Sequence, residues 1–437
     1  MSKNTPIPSL IVDNALAECG ITDVASASIR EIVKLINIIE TASGKSFVRM
    51  EMGVPGLPAV KAGVEAEIEA LKSGVASIYP SIEGIPPLKE EASRFLKQFL
   101  NVNVSPASCV PTVGSMQGGL AVFMTVARAD KDKTHTLFID PGFPVQKQQH
   151  KILGIPYESF DVYRYRGEKL REKLESYLSK GNISSIIYSS PNNPSWIVFT
   201  ERELRIIGEL AGKYDITVIE DLAYFGMDFR KDYSKPGVPP YPATVANYTD
   251  NYILMLSASK IFSYAGQRIG FLAISDKLYN RQYPGLTRYF VSPGLGHSIV
   301  YGALYGISSG TSHSSQYALT AMLKAASNGD FDFVESVKPY GDKATVMKDI
   351  FVKNGFNVVY DKDEDLPLAD GFYFTISYPG LSGSELLKEL LYYGVSAISL
   401  DITGSERTEG LRACVSFARP EQFPEMEERL RLFGERH

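Results

Sequence analysis

Between residues 136 and 274 the chain alternates short apolar runs with stretches of helical spacing. This alternation restricts the fold more than any other feature. TLFI (136–139) predicts a buried strand ending at Asp140-Pro141-Gly142. ISSIIYSS (183–190) predicts another, ending at Pro191-Asn192-Asn193-Pro194. ITVIE (216–220) leads to Asp221, YILMLS (252–257) leads to Lys260, and IGFLAI (269–274) follows. The segment 200–213 predicts a helix: Thr200 is the N-cap, Glu203 follows three residues later, and Leu204, Ile207 and Leu210 share a face. Short β-rich runs separated by helical stretches favour an α/β domain with a largely parallel sheet.

The flanks differ. Ile29, Ile32, Val33, Ile36 and Ile39 recur at helical spacing behind Ser26 or Ser28 as the cap. MGVPGLP (52–58) and YPSIEGIPP (79–87) read as loops, the second opening a helix at Pro87. After about residue 315 come a helix with Tyr317, Leu319 and Met322, a strand at 370–378, and a helix at 386–394 closed by Gly394. Strands at 395–400 and 411–418 and a helix at 423–434 complete the pattern. This order predicts a smaller α+β domain. The expected partition is 1–60 as an N-terminal segment of the small domain, 61–315 as the large domain and 316–437 as the rest of the small one.

Composition narrows the function. A chain of 437 residues with a net charge of −5 has no broad basic surface for nucleic acid. Three scattered cysteines make no disulfide framework, and five histidines without ligand spacing disfavour a metal centre. No apolar run reaches membrane-spanning length, and the N-terminus lacks the form of a secretory signal. The expectation is a cytoplasmic protein with no membrane or nucleic-acid partner.

In open parallel sheets, ligands bind beyond the carboxyl ends of the strands. Asn193, Asp221, Tyr224, Ser257, Lys260 and Arg268 all fall at or just past strand ends. Taken singly, Asp221 reads as an N-cap or salt-bridge partner, and Lys260 and Arg268 as surface charges. Taken together they put a carboxylate, a phenol, an amine and a guanidinium in one crevice. A desolvated lysine near cationic groups becomes a nucleophile for carbonyls. TVGSMQGG (112–119) precedes an apolar helix, so the amides of Ser115 and Met116 lie at a helix N-terminus, which favours an anion.

These residues carry a family resemblance. SASKIFSYAGQRIG (257–270) resembles the lysine segment of fold-type I pyridoxal-phosphate enzymes of aminotransferase class I/II, with the arginine eight residues after the lysine. PNNP (191–194), EDLAY (220–224), DPGFP (140–144), TVGSMQGG and YPSIEGIPPLK (79–89) resemble further elements of that family, in the family's order. The likeness spans roughly residues 50–420. It implies a fold-type I transferase: a large domain with a mostly parallel seven-stranded sheet, plus a smaller α+β domain. It implies pyridoxal 5′-phosphate as cofactor, tethered to Lys260. Asp221 would hold the ring nitrogen protonated, Tyr224 and Asn193 would bond the ring's phenolic oxygen, and Phe143 would stack on the ring face. Gly114, Ser115, Met116, Ser257 and Arg268 would hold the phosphate. Tyr79 would reach the phosphate from a second subunit, which implies a homodimer with shared sites.

The implied substrates are an amino acid and a 2-oxo acid. Gly53 matches the glycine that approaches the substrate carboxylate. The family's C-terminal arginine has no direct match: alignment on SFA (416–418) puts Cys414 in its place. Arg412 lies two residues earlier, on the same strand face and about 7 Å away, and is the expected substitute. PSW (194–196) departs from the family's usual Pro-Thr-Gly, and Trp196 is the sole tryptophan. The expected reaction moves an amino group between an L-amino acid and a 2-oxo acid by way of Lys260 and pyridoxamine phosphate. A lyase or decarboxylase acting on an amino acid uses the same Lys260 and Asp221. A non-enzymatic regulator of this fold needs a DNA-binding module, for which the first 45 residues supply no basic recognition helix.

Overall fold

The computed structural model describes residues 5–437. The chain forms two compact units. One comprises Leu57–Asn192 with Val198–Val337; the other comprises the described residues up to Gly56, Asn193–Ile197 and Lys338–His437.

The larger unit is built on seven strands: β1 (Cys109–Thr112), β2 (His135–Asp140), β3 (Tyr157–Asp161), β4 (Ile183–Ser189), β5 (Thr217–Leu222), β6 (Tyr252–Ser257) and β7 (Gly270–Ile274). Their order is β1-β7-β6-β5-β4-β2-β3. β2 runs parallel to β3 and β4, β4 to β5, and β5 to β6. β7 alone is reversed, antiparallel to both β6 and β1. The central strands β4 to β7 are buried along their whole length, as expected of a sheet covered on both faces. Phe123 and Val126 of the helix Gly114–Val126 share one buried apolar cluster with Ile219, Ile253 and Leu272 of the sheet. Pro111 in β1 is tolerated because β1 is an edge strand.

The reversed β7 has a consequence for the site. Its first residue, Gly270, pairs with Ser257, the last residue of β6. Arg268, just before a strand's amino end, therefore lies at the same sheet edge as the carboxyl ends of β5 and β6.

The helix His313–Asn328, which the sequence pattern places in the small domain, belongs to the larger unit. It packs on the helices Lys61–Lys72 and Pro86–Leu100. Ser314 and Ser315 donate to the buried Glu67 carboxylate at 3.0 and 3.3 Å, and the amide of Ile85 donates to Gln316 Oε1 at 2.9 Å. The boundary accordingly falls at Val337 and Lys338 rather than at 315 and 316.

The smaller unit contains a four-stranded antiparallel sheet in the order Ile398–Ser399, Leu411–Cys414, Tyr373–Ser377, Asn357–Val358. The apolar run 395–400 is not one strand. Val395–Ser396 pairs in parallel with Val48–Arg49, and after Ala397 the chain switches to the antiparallel sheet. The strand expected over 411–418 ends at Cys414. Helices Ile29–Ser43 and Gly383–Tyr392 each begin with a capping box, Ser28 with Glu31 and Ser382 with Glu385. Each box satisfies two orphan backbone donors.

Candidate active site

Nine of the ten sequence-predicted cofactor residues of the larger unit fall along one edge of its sheet, and Tyr79 does not. Asp221 is the penultimate residue of β5, and Tyr224 lies buried in the turn that follows. Ser257 ends β6 and caps the short helix Ala258–Ile261, which carries the half-buried Lys260. β5 and β6 are neighbours, so both pairs emerge side by side.

Asp221 is 6% exposed. Its Oδ1 accepts from the Ala223 amide at 3.1 Å, and its Oδ2 from Gln146 Nε2 at 2.9 Å. Both donors are neutral, and among the described residues no cation pairs with it. Burial pushes its pKa up to about 6, against the opposing pull of the two hydrogen bonds. A buried carboxylate without a cation is costly unless a ligand supplies one. Asp221 shares a cleft with Ser115, Met116, Gly119, Phe143, Gln146 and Gln149. An aromatic face, a helix N-terminus and an unneutralised carboxylate thus border one space.

The anion end is assembled by glycine and arginine. Gly114 opens the helix Gly114–Val126 at φ 67°, a left-handed conformation that favours glycine. A Cβ there would also lie 2.7 Å from Arg268 Nη2. The guanidinium therefore sits against the backbone at the start of the helix. Arg268 Nη1 donates to Ser259 Oγ at 3.3 Å and to the Ala265 carbonyl at 3.0 Å. The Ser257 hydroxyl accepts from the Ser259 amide at 3.2 Å. The Val113 amide is satisfied by Gln117 Oε1 at 2.7 Å, whereas the first-turn amides of the helix have no intrahelical acceptor. One phosphate-sized anion suits this convergence of amides, hydroxyl and guanidinium.

Tyr79 lies outside that cleft. It is 92% exposed on the surface of the larger unit.

In the smaller unit Gly53, Asn193 and Arg412 come together. Arg412 is only 2% exposed, yet among the described residues it has no carboxylate partner. Its Nη2 donates to the Glu51 carbonyl at 2.5 Å and its Nη1 to Asn193 Oδ1 at 3.3 Å. Nε is buried with no acceptor. The guanidinium carbon lies 4.7 Å from the centre of the Tyr373 ring, and Gly53 lies against the Tyr373 hydroxyl. Cys414, also buried, contacts Ser416 Oγ at 3.2 Å. A buried guanidinium with neutral partners is an anion site in waiting, the inverse of Asp221.

Gln146, Gln149 and Tyr373 escaped the sequence reading. Gln146 falls in the first turn of the helix Pro144–Leu153, directly after Phe143, and Gln149 Nε2 donates to the Met116 carbonyl at 2.9 Å. The polar run QKQQ at the start of a helix that follows a strand was the available signal. Tyr373 stood two residues beyond Gly371 in an apolar strand and gave none.

Comparison with known proteins is consistent with this geometry. The chain is 26% identical over 257 residues to a protein named probable aspartate aminotransferase from Methanocaldococcus jannaschii, covering 59% of this chain and 62% of that protein. It is 30% identical over 257 residues to aromatic-amino-acid aminotransferase 2 of Thermococcus litoralis, covering 56% of this chain and 61% of the relative. The matched stretch thus spans about three-fifths of these relatives. The structure of an alanine aminotransferase from Pyrococcus furiosus superposes with a TM-score of 0.75 at 18% identity, covering 96% of this chain and 99% of that one, and shows the shared fold. None of the three carries a lyase or decarboxylase name. The family model for aminotransferase class I and II matches residues 46–430. This chain therefore belongs to the class I and II aminotransferases, a family that depends on pyridoxal 5′-phosphate.

Proposed function

We propose that the protein is an aminotransferase that binds pyridoxal 5′-phosphate and moves an amino group between an L-amino acid and a 2-oxo acid. The observation that carries this reading is Asp221: a buried carboxylate with only neutral donors, in one cleft with Phe143, Ser115 and Met116. When bound, the cofactor supplies an aldehyde and an electron-accepting ring. Asp221 keeps the ring nitrogen protonated, Phe143 flanks the ring, and Tyr224 and Asn193 bond its phenolic oxygen. Gly114, Ser115, Met116, Ser257 and Arg268 hold the phosphate. Lys260 Nζ would hold the cofactor, and its amine is the group that would move a proton at the substrate Cα. Arg412 binds the substrate carboxylate beside Gly53.

The working unit in this reading is a cytoplasmic homodimer. The exposed Tyr79 supports it, because an exposed ring beside exposed Ile78 suits burial against a second copy.

The test is a half-reaction on purified, cofactor-loaded protein. Each amino acid is added in turn and the visible absorption of the bound cofactor is followed. Formation of pyridoxamine phosphate with release of a 2-oxo acid is expected. Release of ammonia or carbon dioxide without pyridoxamine phosphate would overturn the transferase reading. Lys260→Ala should lose the borohydride-reducible link while still binding cofactor, and a retained adduct would remove Lys260 from its role.

A further inference from the structure

The single tryptophan and its neighbours are not explained by cofactor binding. Trp196 is buried at φ 66°, and Gly371 leaves it space: a Cβ at 371 would meet the indole at 2.1 Å. Its ring meets Tyr373 edge-on, with centroids 6.1 Å apart and planes at 69°. The same ring also meets a charge. Arg412 lies 4.7 Å from the Tyr373 ring centre, and the Tyr373 hydroxyl is seated where a Cβ on Gly53 would stand 2.1 Å away.

From this geometry we propose that Tyr373 is a positioning residue, an aromatic platform braced by Trp196 that holds the Arg412 guanidinium in the plane needed to grip the substrate carboxylate. The inference rests on reading Arg412 as that anchor.

Arginine has five N–H donors in a rigid fork. The Glu51 carbonyl and Asn193 Oδ1 each take one, and Nε is left without an acceptor. Two neutral acceptors on Nη1 and Nη2 still allow the guanidinium to tilt about the line between them. A ring 4.7 Å away opposes that tilt, and its quadrupole favours the cation without neutralising it. A carboxylate in the same position would pair with Arg412 and compete with substrate. An aromatic ring holds the charge and leaves it available. Tyr373 is itself locked at both ends, by Trp196 at the ring edge and by Gly53 at the hydroxyl.

Trp196 is also the natural reporter, because it is the sole tryptophan. The experiment titrates the cofactor-loaded protein with propionate, and with propionamide as the uncharged control. Binding is read both from Trp196 emission and from the cofactor's visible absorption. In the wild type, emission should saturate with propionate and ignore propionamide. Tyr373→Phe keeps the ring and should bind within about twofold of wild type. Tyr373→Leu removes it and should weaken propionate roughly threefold to thirtyfold, the range of a cation–π contact from exposed to desolvated. The same variant should raise KM for the amino acid with little change in kcat. Wild-type affinity in Tyr373→Leu overturns the positioning role. Unchanged affinity in Arg412→Gln overturns the anchor instead, so the two failures are distinct. If Tyr373→Leu does not fold, the wild type still decides: propionate binding seen in the cofactor spectrum with no change in Trp196 emission overturns the braced platform.

Discussion

Asp221 and Arg412 are each buried with neutral hydrogen-bond partners: an amide and a side-chain amide for the acid, a carbonyl and a side-chain amide oxygen for the base. The Asp221 carboxyl has a folded-state pKa of about 6 against an ordinary 3.8, chiefly because burial penalises its charge. Between those values the folded protein binds the proton and the unfolded chain does not, so stability falls as pH rises from about 4 to 6 and stays lowered above that. The difference corresponds to roughly 2–3 kcal/mol at pH 8. Cofactor-free Asp221→Asn should therefore melt above cofactor-free wild type at pH 8, with the gap closing toward pH 4. With cofactor bound the order should reverse, because the ring nitrogen then supplies the missing cation. Thermal melts of both proteins, with and without cofactor, measure this; a cofactor-free variant that melts below wild type at pH 8 contradicts it. Gln146→Leu tests the neighbouring donor: the loss of its hydrogen bond should push the Asp221 pKa further up and weaken cofactor binding, as read by equilibrium dialysis. The sequence made Asp221 legible because a carboxylate at the end of an apolar strand is conspicuous. Gln146 was not, because an amide in a polar first turn looks like any solvated side chain.

At the scale of elements, two helix starts do different work. The helix Gly114–Val126 begins at a glycine with φ 67° that also makes room for Arg268. Gly114→Ala meets both penalties, a strained backbone and a Cβ 2.7 Å from Nη2. It should lower cofactor affinity about fivefold to thirtyfold, the equivalent of the roughly 1–2 kcal/mol left-handed cost, and equilibrium dialysis would show it. The helix Glu201–Tyr214 begins instead with a buried ion pair. Glu203 accepts from Arg166 Nε at 2.7 Å and Nη2 at 2.8 Å, and from the Gly167 amide at 2.8 Å. Glu203→Ala strands the Arg166 guanidinium and should cost about 3–5 kcal/mol in urea unfolding while leaving turnover per folded protein unchanged. The capping box at Thr200 was readable because its signal is local. The parallel strands were readable for the same reason, as continuous apolar runs between helices. What local pattern does not contain is partner choice. Nothing in 395–400 marks Ala397 as the point where the chain changes sheets, and nothing in 313–328 says that its buried face meets the helices at 61–72 and 86–100. The reversal of β7 is likewise set by pairing with β6 and β1, and it is the reversal that brings Arg268 to the edge where β5 and β6 end.

At the scale of the whole molecule, the proposed dimer makes a stricter demand than size alone. A dimer mass of about 96 kDa, twice the 48.2 kDa chain, is a necessary result in light scattering but does not show that sites are shared. Tyr79 is 92% exposed, and the Tyr301 hydroxyl donates to Glu83 of the Tyr79 loop at 3.1 Å. If Tyr79 completes the phosphate site of the second copy, Lys260→Ala and Tyr79→Ala damage opposite contributions to each site. A mixed dimer then holds one site with both defects and one with neither. Random reassortment of equal amounts makes half the dimers mixed, each with one of two sites intact, so activity should recover to about a quarter of wild type under cofactor concentrations too low to load Tyr79→Ala alone. If Tyr79 acts within its own chain, every site in the mixture carries one defect and no recovery occurs. Recovery should also decline on dilution, since it requires subunits to remain associated, and that concentration dependence separates shared sites from a trace of revertant wild-type protein.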